Sequence, residues 1–328
     1  MASLFKGLFG SGEGGSSSIP APPDGIKKFS DSVYILSEPA GDSPEMEIVF
    51  IHGLQLSDYR EAYWKTWVTS GKKEKDGKEV CWPVTWLGKE FPRARILSLC
   101  YDSSALKSST TGNMDGYILG ESLVQEMVVM AKVGQQSDCP IVFVCHSLGG
   151  IVVKSIVLQA DARKSGKSDG PKYAKFLQNI RGFHYYATPH DGSKLADLAS
   201  YLPKMGKMVK ELEVINDGLG RLNGRFEQLE KDHFANKWEF SVIAEAHKTV
   251  YKGFSKKVVE EASARHGHDR FKVVMADHFG VCKPDDKISN SYQVLTGFIS
   301  EVVTKQNSSL TRVTPAMVQT LEHEEDLT

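Results

Sequence analysis

The segment Ile141-Val-Phe-Val-Cys145-His146-Ser147-Leu148-Gly149-Gly150-Ile-Val-Val-Lys154 runs an apolar strand pattern straight into a helical one, with one serine at the junction. A chain that turns this sharply must bring strand and helix close together and hold the serine in a strained turn that exposes its hydroxyl. Small residues are therefore needed two before and two after it. Gly149 meets that demand, whereas Cys145 stands where the pattern G-x-S-x-G has glycine and meets it less well. With a strand before, a helix after and an H-S-x-G-G core, the segment reads as a nucleophile elbow carrying Ser147.

Such an elbow needs a sheet to stand on. Short β-branched runs at Met46–Ile51, Arg95–Tyr101, Ile141–Cys145, Gly182–Ala187, Trp238–Ala244 and Phe271–Met275 alternate with longer helical patterns. That alternation predicts βαβ units and an α/β chain, with a mostly parallel central sheet and helices on both faces. Two helical stretches illustrate the periodicity. Tyr117–Val133 aligns Leu119, Leu123, Met127 and Met130, and Ile288–Val303 aligns Tyr292, Leu295 and Ile299.

A serine hydroxyl needs a base, and the base an orienting acid; on a sheet of this kind they follow in the order serine, acid, histidine. His278, in Ala276-Asp-His-Phe-Gly280, follows the last predicted strand at its carboxyl end, where ligands meet open α/β sheets. For the acid, Glu245 closes the strand before it and is preferred. Asp191, in Ala187-Thr-Pro-His-Asp191-Gly, is the alternative, with a helix N-cap before Lys194 as its structural reading. Upstream, Ile48-Val-Phe-Ile-His52-Gly53-Leu54 closes a strand on His-Gly, so the amides of Leu54 and Leu148 are expected to form an oxyanion hole. His52 itself reads as structural. His266 and His268 lack a third ligand at metal-binding spacing, so no metal site is expected there.

Composition narrows the setting. Lys plus Arg number 40 against 41 Asp plus Glu, a net charge of -1, which disfavours nucleic acid as a partner. Five cysteines without a C-x-x-C pair exclude a disulfide framework as the main staple. No apolar run approaches the roughly 18 residues that span a bilayer. The first residues lack the basic and apolar regions of a secretory signal, so an intracellular setting is expected. Residues 1–25 hold six Gly, five Ser and three Pro and read as a disordered tail, within which Leu4, Phe5, Leu8 and Phe9 fall at helical spacing. Residues 306–328 read as an acidic flexible tail, leaving 26–305 as one folded domain. Inside it, residues 60–90 carry Trp64, Trp67, Trp82 and Trp86 with Tyr59, Tyr63 and a Lys72–Lys75 stretch. These aromatics read either as a lid that lines an acyl pocket or touches a membrane, or as side chains packing the insertion onto the core.

Taken in order, Phe50-Ile-His-Gly-Leu, Cys81-Trp-Pro-Val-Thr-Trp-Leu, Phe91-Pro-Arg-Ala-Arg-Ile-Leu, His146-Ser-Leu-Gly-Gly-Ile-Val-Val-Lys, Tyr186-Ala-Thr-Pro-His-Asp-Gly-Ser-Lys-Leu and Asp277-His-Phe-Gly-Val-Cys-Lys-Pro cover roughly residues 45–303. Through them the chain resembles the serine active site-containing (SERAC) family of α/β hydrolases, in the lipase group with GPI inositol-deacylases. The resemblance implies an α/β-hydrolase fold and a serine esterase, lipase or lipid acyltransferase. Its substrates would be acyl esters, with no metal or organic cofactor. It also implies contact with lipid, and a place in the cytoplasm or peripheral to mitochondrial or endoplasmic reticulum membranes. Ser147 and His278 match the family's nucleophile and base by position, and Glu245 matches a strand-end glutamate. The competing expectation is a hydrolase-fold binding or signalling module without chemistry.

Overall fold

The computed structural model describes residues 22–55, 58–73, 79–102, 115–191, 208–233, 237–251 and 254–325. The strands of its main sheet are β1 (Lys27–Lys28), β2 (Val33–Ser37), β3 (Met46–Ile51), β4 (Ala94–Leu99), β5 (Ile141–His146), β6 (Ile180–Tyr186), β7 (Glu239–Glu245) and β8 (Phe271–Val274). They lie in the order β1-β2-β4-β3-β5-β6-β7-β8. The pairings of β1 with β2 and β2 with β4 are antiparallel, and every pairing from β4 to β8 is parallel. This is the α/β-hydrolase arrangement, with the strand that ends beside Ser147 at its centre.

Parallel strands require crossover connections that cover both faces of the sheet, which is why β3 and β5 are buried along their whole length. Side chains alternate between two cores. Val49, Ile51 and Phe143 point into one, against the helices α1 (Asp115–Val124), α2 (Gly149–Arg163), α3 (Gly170–Asn179) and α4 (Met208–Asp232). Ile48, Phe50 and Val142 point into the other, against the aromatic insertion and helix α5 (Asn290–Glu325).

Several elements depart from the sequence pattern. The edge strands β1 and β2 and the short hairpins Val68–Lys73/Glu79–Cys81 and Thr249–Tyr251/Phe254–Lys256 were not legible: β2 pairs across to β4, while the others are short local pairings. The helix expected over 117–133 holds α pitch only to Val124 and then takes a π-helical turn over Gln125–Met130. The wider pitch breaks the 3.6-residue register. Leu123 and Met127 stay buried while Met130 swings out to 51% exposure. Ile288 likewise precedes α5 and is exposed, whereas Tyr292, Leu295 and Ile299 pack as expected. The backbone of α5 stays helical from 306 to 325, where the sequence reading expects a flexible tail. The expectations for residues 1–21 lie outside the described residues, as does the lysine-rich stretch from 74 onward.

Candidate active site

Strand β5 ends at His146 and α2 begins at Gly149, so Ser147 must turn the chain within two residues. It does so at φ +53°, in the left-handed region that a residue with a Cβ rarely adopts. Close packing holds the turn. A Cβ on Gly149 would run into the Ile51 carbonyl oxygen and lie 2.7 Å from that of His52, and one on Gly150 would lie 2.9 Å from the Thr188 Cβ. Gly53 is equally constrained, since a Cβ there would sit 2.6 Å from the Ser147 Cβ. The tight approach thus falls on three glycines and not on Cys145, whose side chain is buried in the core beneath the helices. Burial pushes that thiol well above its ordinary range. The Ser147 N–H donates to the Tyr186 carbonyl on the neighbouring strand at 2.8 Å.

Beside this turn the structure brings together Ser147, His278 and Glu245. The Ser147 hydroxyl lies 2.8 Å from His278 Nε2, and His278 Nδ1 lies 2.7 Å from Glu245 Oε2. Glu245 is fully buried and His278 nearly so. A carboxylate in such a place needs donors to replace water. Glu245 Oε1 accepts the N–H groups of Val258 at 2.7 Å and Val259 at 3.0 Å, which leaves Oε2 for the histidine. Because Oε2 accepts, His278 carries its proton on Nδ1 and presents a bare Nε2 to the serine.

Asp191 lies elsewhere. Its carboxylate pairs with His266 Nδ1 at 3.1 Å, and His266 Nε2 faces Glu227 at 3.3 Å. The helix that Asp191 would cap falls outside the described residues. Among the described residues, no group of three His, Cys, Asp or Glu side chains is placed to hold a metal ion.

The loop after β3 is held by His52. Its Nδ1–H donates to the Gly53 carbonyl at 2.8 Å, and its Nε2 accepts the Tyr101 N–H at 3.3 Å. The ring stacks on Tyr101, whose hydroxyl donates to the His52 carbonyl. Burial lowers this imidazole to about 4, so it stays neutral at physiological pH. Leu54 follows Gly53, which packs directly against Ser147 and lies near the Leu148 amide.

The aromatic insertion forms a frame around these pieces. Trp64, Trp67 and Trp82 are buried, with Phe50, Trp67, Trp82 and Tyr292 meeting edge to face. Trp82 Nε1–H donates to the Cys282 carbonyl at 3.1 Å, and Lys283 Nζ to the Lys65 carbonyl at 2.9 Å, fastening the insertion to the loop that bears His278. On the other side Gln55 Nε2–H donates to Thr66 Oγ1 at 3.3 Å, tying it to the loop of Leu54. Trp64, Trp67 and Trp82 thus pack the insertion onto the core, while Trp86 is half-buried and Tyr59 exposed.

Some contacts to His278 carry no sequence signal. Thr249 Oγ1 accepts its backbone N–H at 3.1 Å, and His146 Nε2 lies 2.8 Å from its carbonyl oxygen. Both partners are more than twenty residues away in sequence, and neither residue type is distinctive.

Residues 45–217 match the family described as "Putative serine esterase (DUF676)". The chain belongs to that family. The DUF676 match takes in Leu54, Ser147 and Asp191 but stops short of Glu245 and His278, which the fold alone brings to the serine. Protein SERAC1 of Homo sapiens is 29% identical over 296 residues, 85% of this chain and 42% of that protein. Protein SERAC1 of Danio rerio is 30% identical over 297 residues, 84% and 42% respectively. This DUF676 chain therefore spans less than half the length of these relatives. Among solved structures, the Bacillus licheniformis lipase BlEst2 in its mature form has a TM-score of 0.41 and 16% identity, over 82% of this chain and 97% of that one. No helix among the described residues is long and apolar enough to cross a membrane.

Proposed function

We propose that the chain hydrolyses acyl esters through a covalent acyl-serine, with Ser147 as nucleophile, His278 as base and Glu245 as orienting acid. The observation that carries this reading is the unbroken relay from Ser147 Oγ to His278 Nε2 and from His278 Nδ1 to Glu245, at 2.8 and 2.7 Å. As the hydroxyl attacks the ester carbonyl, His278 takes its proton, and Glu245 stabilises the imidazolium that results. The amides of Leu54 and Leu148 receive the charge that builds on the carbonyl oxygen, each such donor being worth about 10² to 10³ in rate. His278 then protonates the departing alcohol, and water or an acceptor alcohol releases the acyl group by the reverse path. Lipid acyl esters are the proposed substrate class, on the strength of the SERAC resemblance, with contact at a membrane surface.

Labelling by a fluorophosphonate, compared between wild type, Ser147→Ala and His278→Ala, tests the chemistry. Labelling should need both residues, and Ser147→Ala should cost on the order of 10⁶ in ester turnover. A folded wild-type protein that neither labels nor turns over esters would instead support a binding module. Activity against a series of p-nitrophenyl esters tests the substrate class: it should rise with acyl length, and a steady fall would point to small esters.

A further inference from the structure

His278 sits in the irregular segment between β8 and α5, where no sheet ladder holds its peptide group. The main-chain N–H and C=O of His278 are instead held by side chains of other elements: Thr249 Oγ1 takes the N–H, and His146 faces the carbonyl oxygen at 2.8 Å. A carbonyl only accepts, so His146 Nε2 must carry a hydrogen and donate it. His146 is buried, its ring centroid is 5.1 Å from that of His278, and burial holds its imidazole well below the ordinary range, consistent with a permanently neutral donor. It is also the residue immediately before the nucleophile. Two consecutive residues of one peptide therefore grip the same histidine, Ser147 by the ring and His146 by the main chain.

We infer that His146 is a positioning residue, whose Nε2–H fixes the main chain of His278 relative to Ser147 and so sets the distance across which the proton moves. The inference rests on the serine-hydrolase reading above. Its physical content is that the base is registered to the strand that carries the nucleophile, and not only to the acid. Loss of the bond frees the carbonyl end of the His278 peptide, and a misplacement of about 1 Å at a reacting pair can cost 10²-fold in rate.

The experiment measures kcat and KM for p-nitrophenyl butyrate, with thermal melting, in His146→Gln, His146→Asn and His146→Leu. Gln places an N–H close to where Nε2 stands, Asn is too short to reach, and Leu has no donor. The expected result is a fall in kcat of about 10- to 100-fold for Asn and Leu with KM little changed, and recovery of most of the loss in Gln. Should Leu fail to fold, the contrast between Gln and Asn decides. Equal impairment of Gln and Asn, or wild-type kcat in Asn, would overturn the inference. Ser147→Ala in the same assay separates the two levels: turnover that survives it overturns the hydrolase reading and this inference together. Turnover that requires Ser147 but ignores the donor at 146 overturns this inference alone.

Discussion

Glu245 and His278 meet at 2.7 Å in an interior where neither side chain is more than 1% exposed. A pair so placed is held by protein donors alone, and the carboxylate spends its second oxygen on the amides of Val258 and Val259. Glu245→Gln keeps the shape but can turn an N–H towards His278 and favour the wrong tautomer. By analogy with the same change in a serine protease, kcat should fall by about 10⁴-fold. Asp191→Asn, which alters an exposed pair with His266, should leave kcat unchanged. Steady-state kinetics on a soluble ester reads both, and a reversed order of effects would move the acid to Asp191.

Two glycines give a contrast in backbone substitution. Gly53→Ala forces a Cβ to within 2.6 Å of the Ser147 Cβ and should lower kcat by at least about 10²-fold. Gly220→Ala, on α4 with open space around it, should raise stability by about 0.5 to 1 kcal/mol through helix propensity and leave kcat alone. Urea unfolding and ester turnover on the same preparations check the pair.

Acid should act in part through His52, one of several imidazoles that burial lowers. Burial lowers this imidazole from 6.5 to about 4, so the unfolded chain binds a proton between those values that the folded chain refuses. The folded pKa lies below the unfolded one, and the unfolded state therefore gains as pH falls. The penalty is absent above about pH 6.5 and grows to about 3 kcal/mol near pH 4. His52→Gln removes the titration. The stability gap between wild type and this variant should change by about that amount between pH 7 and pH 4 in urea titrations, and a constant gap would count against it.

Trp82→Phe tests the frame. It keeps an aromatic ring but leaves the Cys282 carbonyl without its donor, which should cost about 1 to 3 kcal/mol. Loosening of the loop that carries His278 should lower kcat as well, read by thermal melting alongside turnover. Stability lost with kcat unchanged would mean that the insertion steadies the fold without positioning the base.

Local pattern carried much of the fold and the central pieces of the candidate site. The run Ile141–Cys145 into Gly149 is a strand-to-helix junction in any α/β chain, and Glu245 and His278 each close or follow a β-branched run, so their places at the sheet's carboxyl edge could be read in order. Other features depend on partners far away in sequence. Trp82 meets Cys282 and Lys65 meets Lys283 only after the chain has folded, so the insertion's aromatics read equally as lid or frame. Cys145 looked unfavourable because the elbow's need for small residues was spread evenly over two positions, whereas the close approach is concentrated at Gly53, Gly149 and Gly150. The π-helical turn after Val124 shifts Met130 out of register for a reason that a 3.6-residue count does not contain.

The bonds from Trp82 to Cys282 and from Lys283 to Lys65 also have a consequence in time. Each joins positions about two hundred residues apart, and His278 lies just ahead of the later anchor. During synthesis the strand bearing Ser147 emerges long before His278, and the early aromatic segment lacks its hydrogen-bond partners at Cys282 and Lys283 until the loop at 277–283 appears. A nascent chain therefore carries Ser147 without the histidine of the proposed relay, which can form only once the segment after β8 has been made.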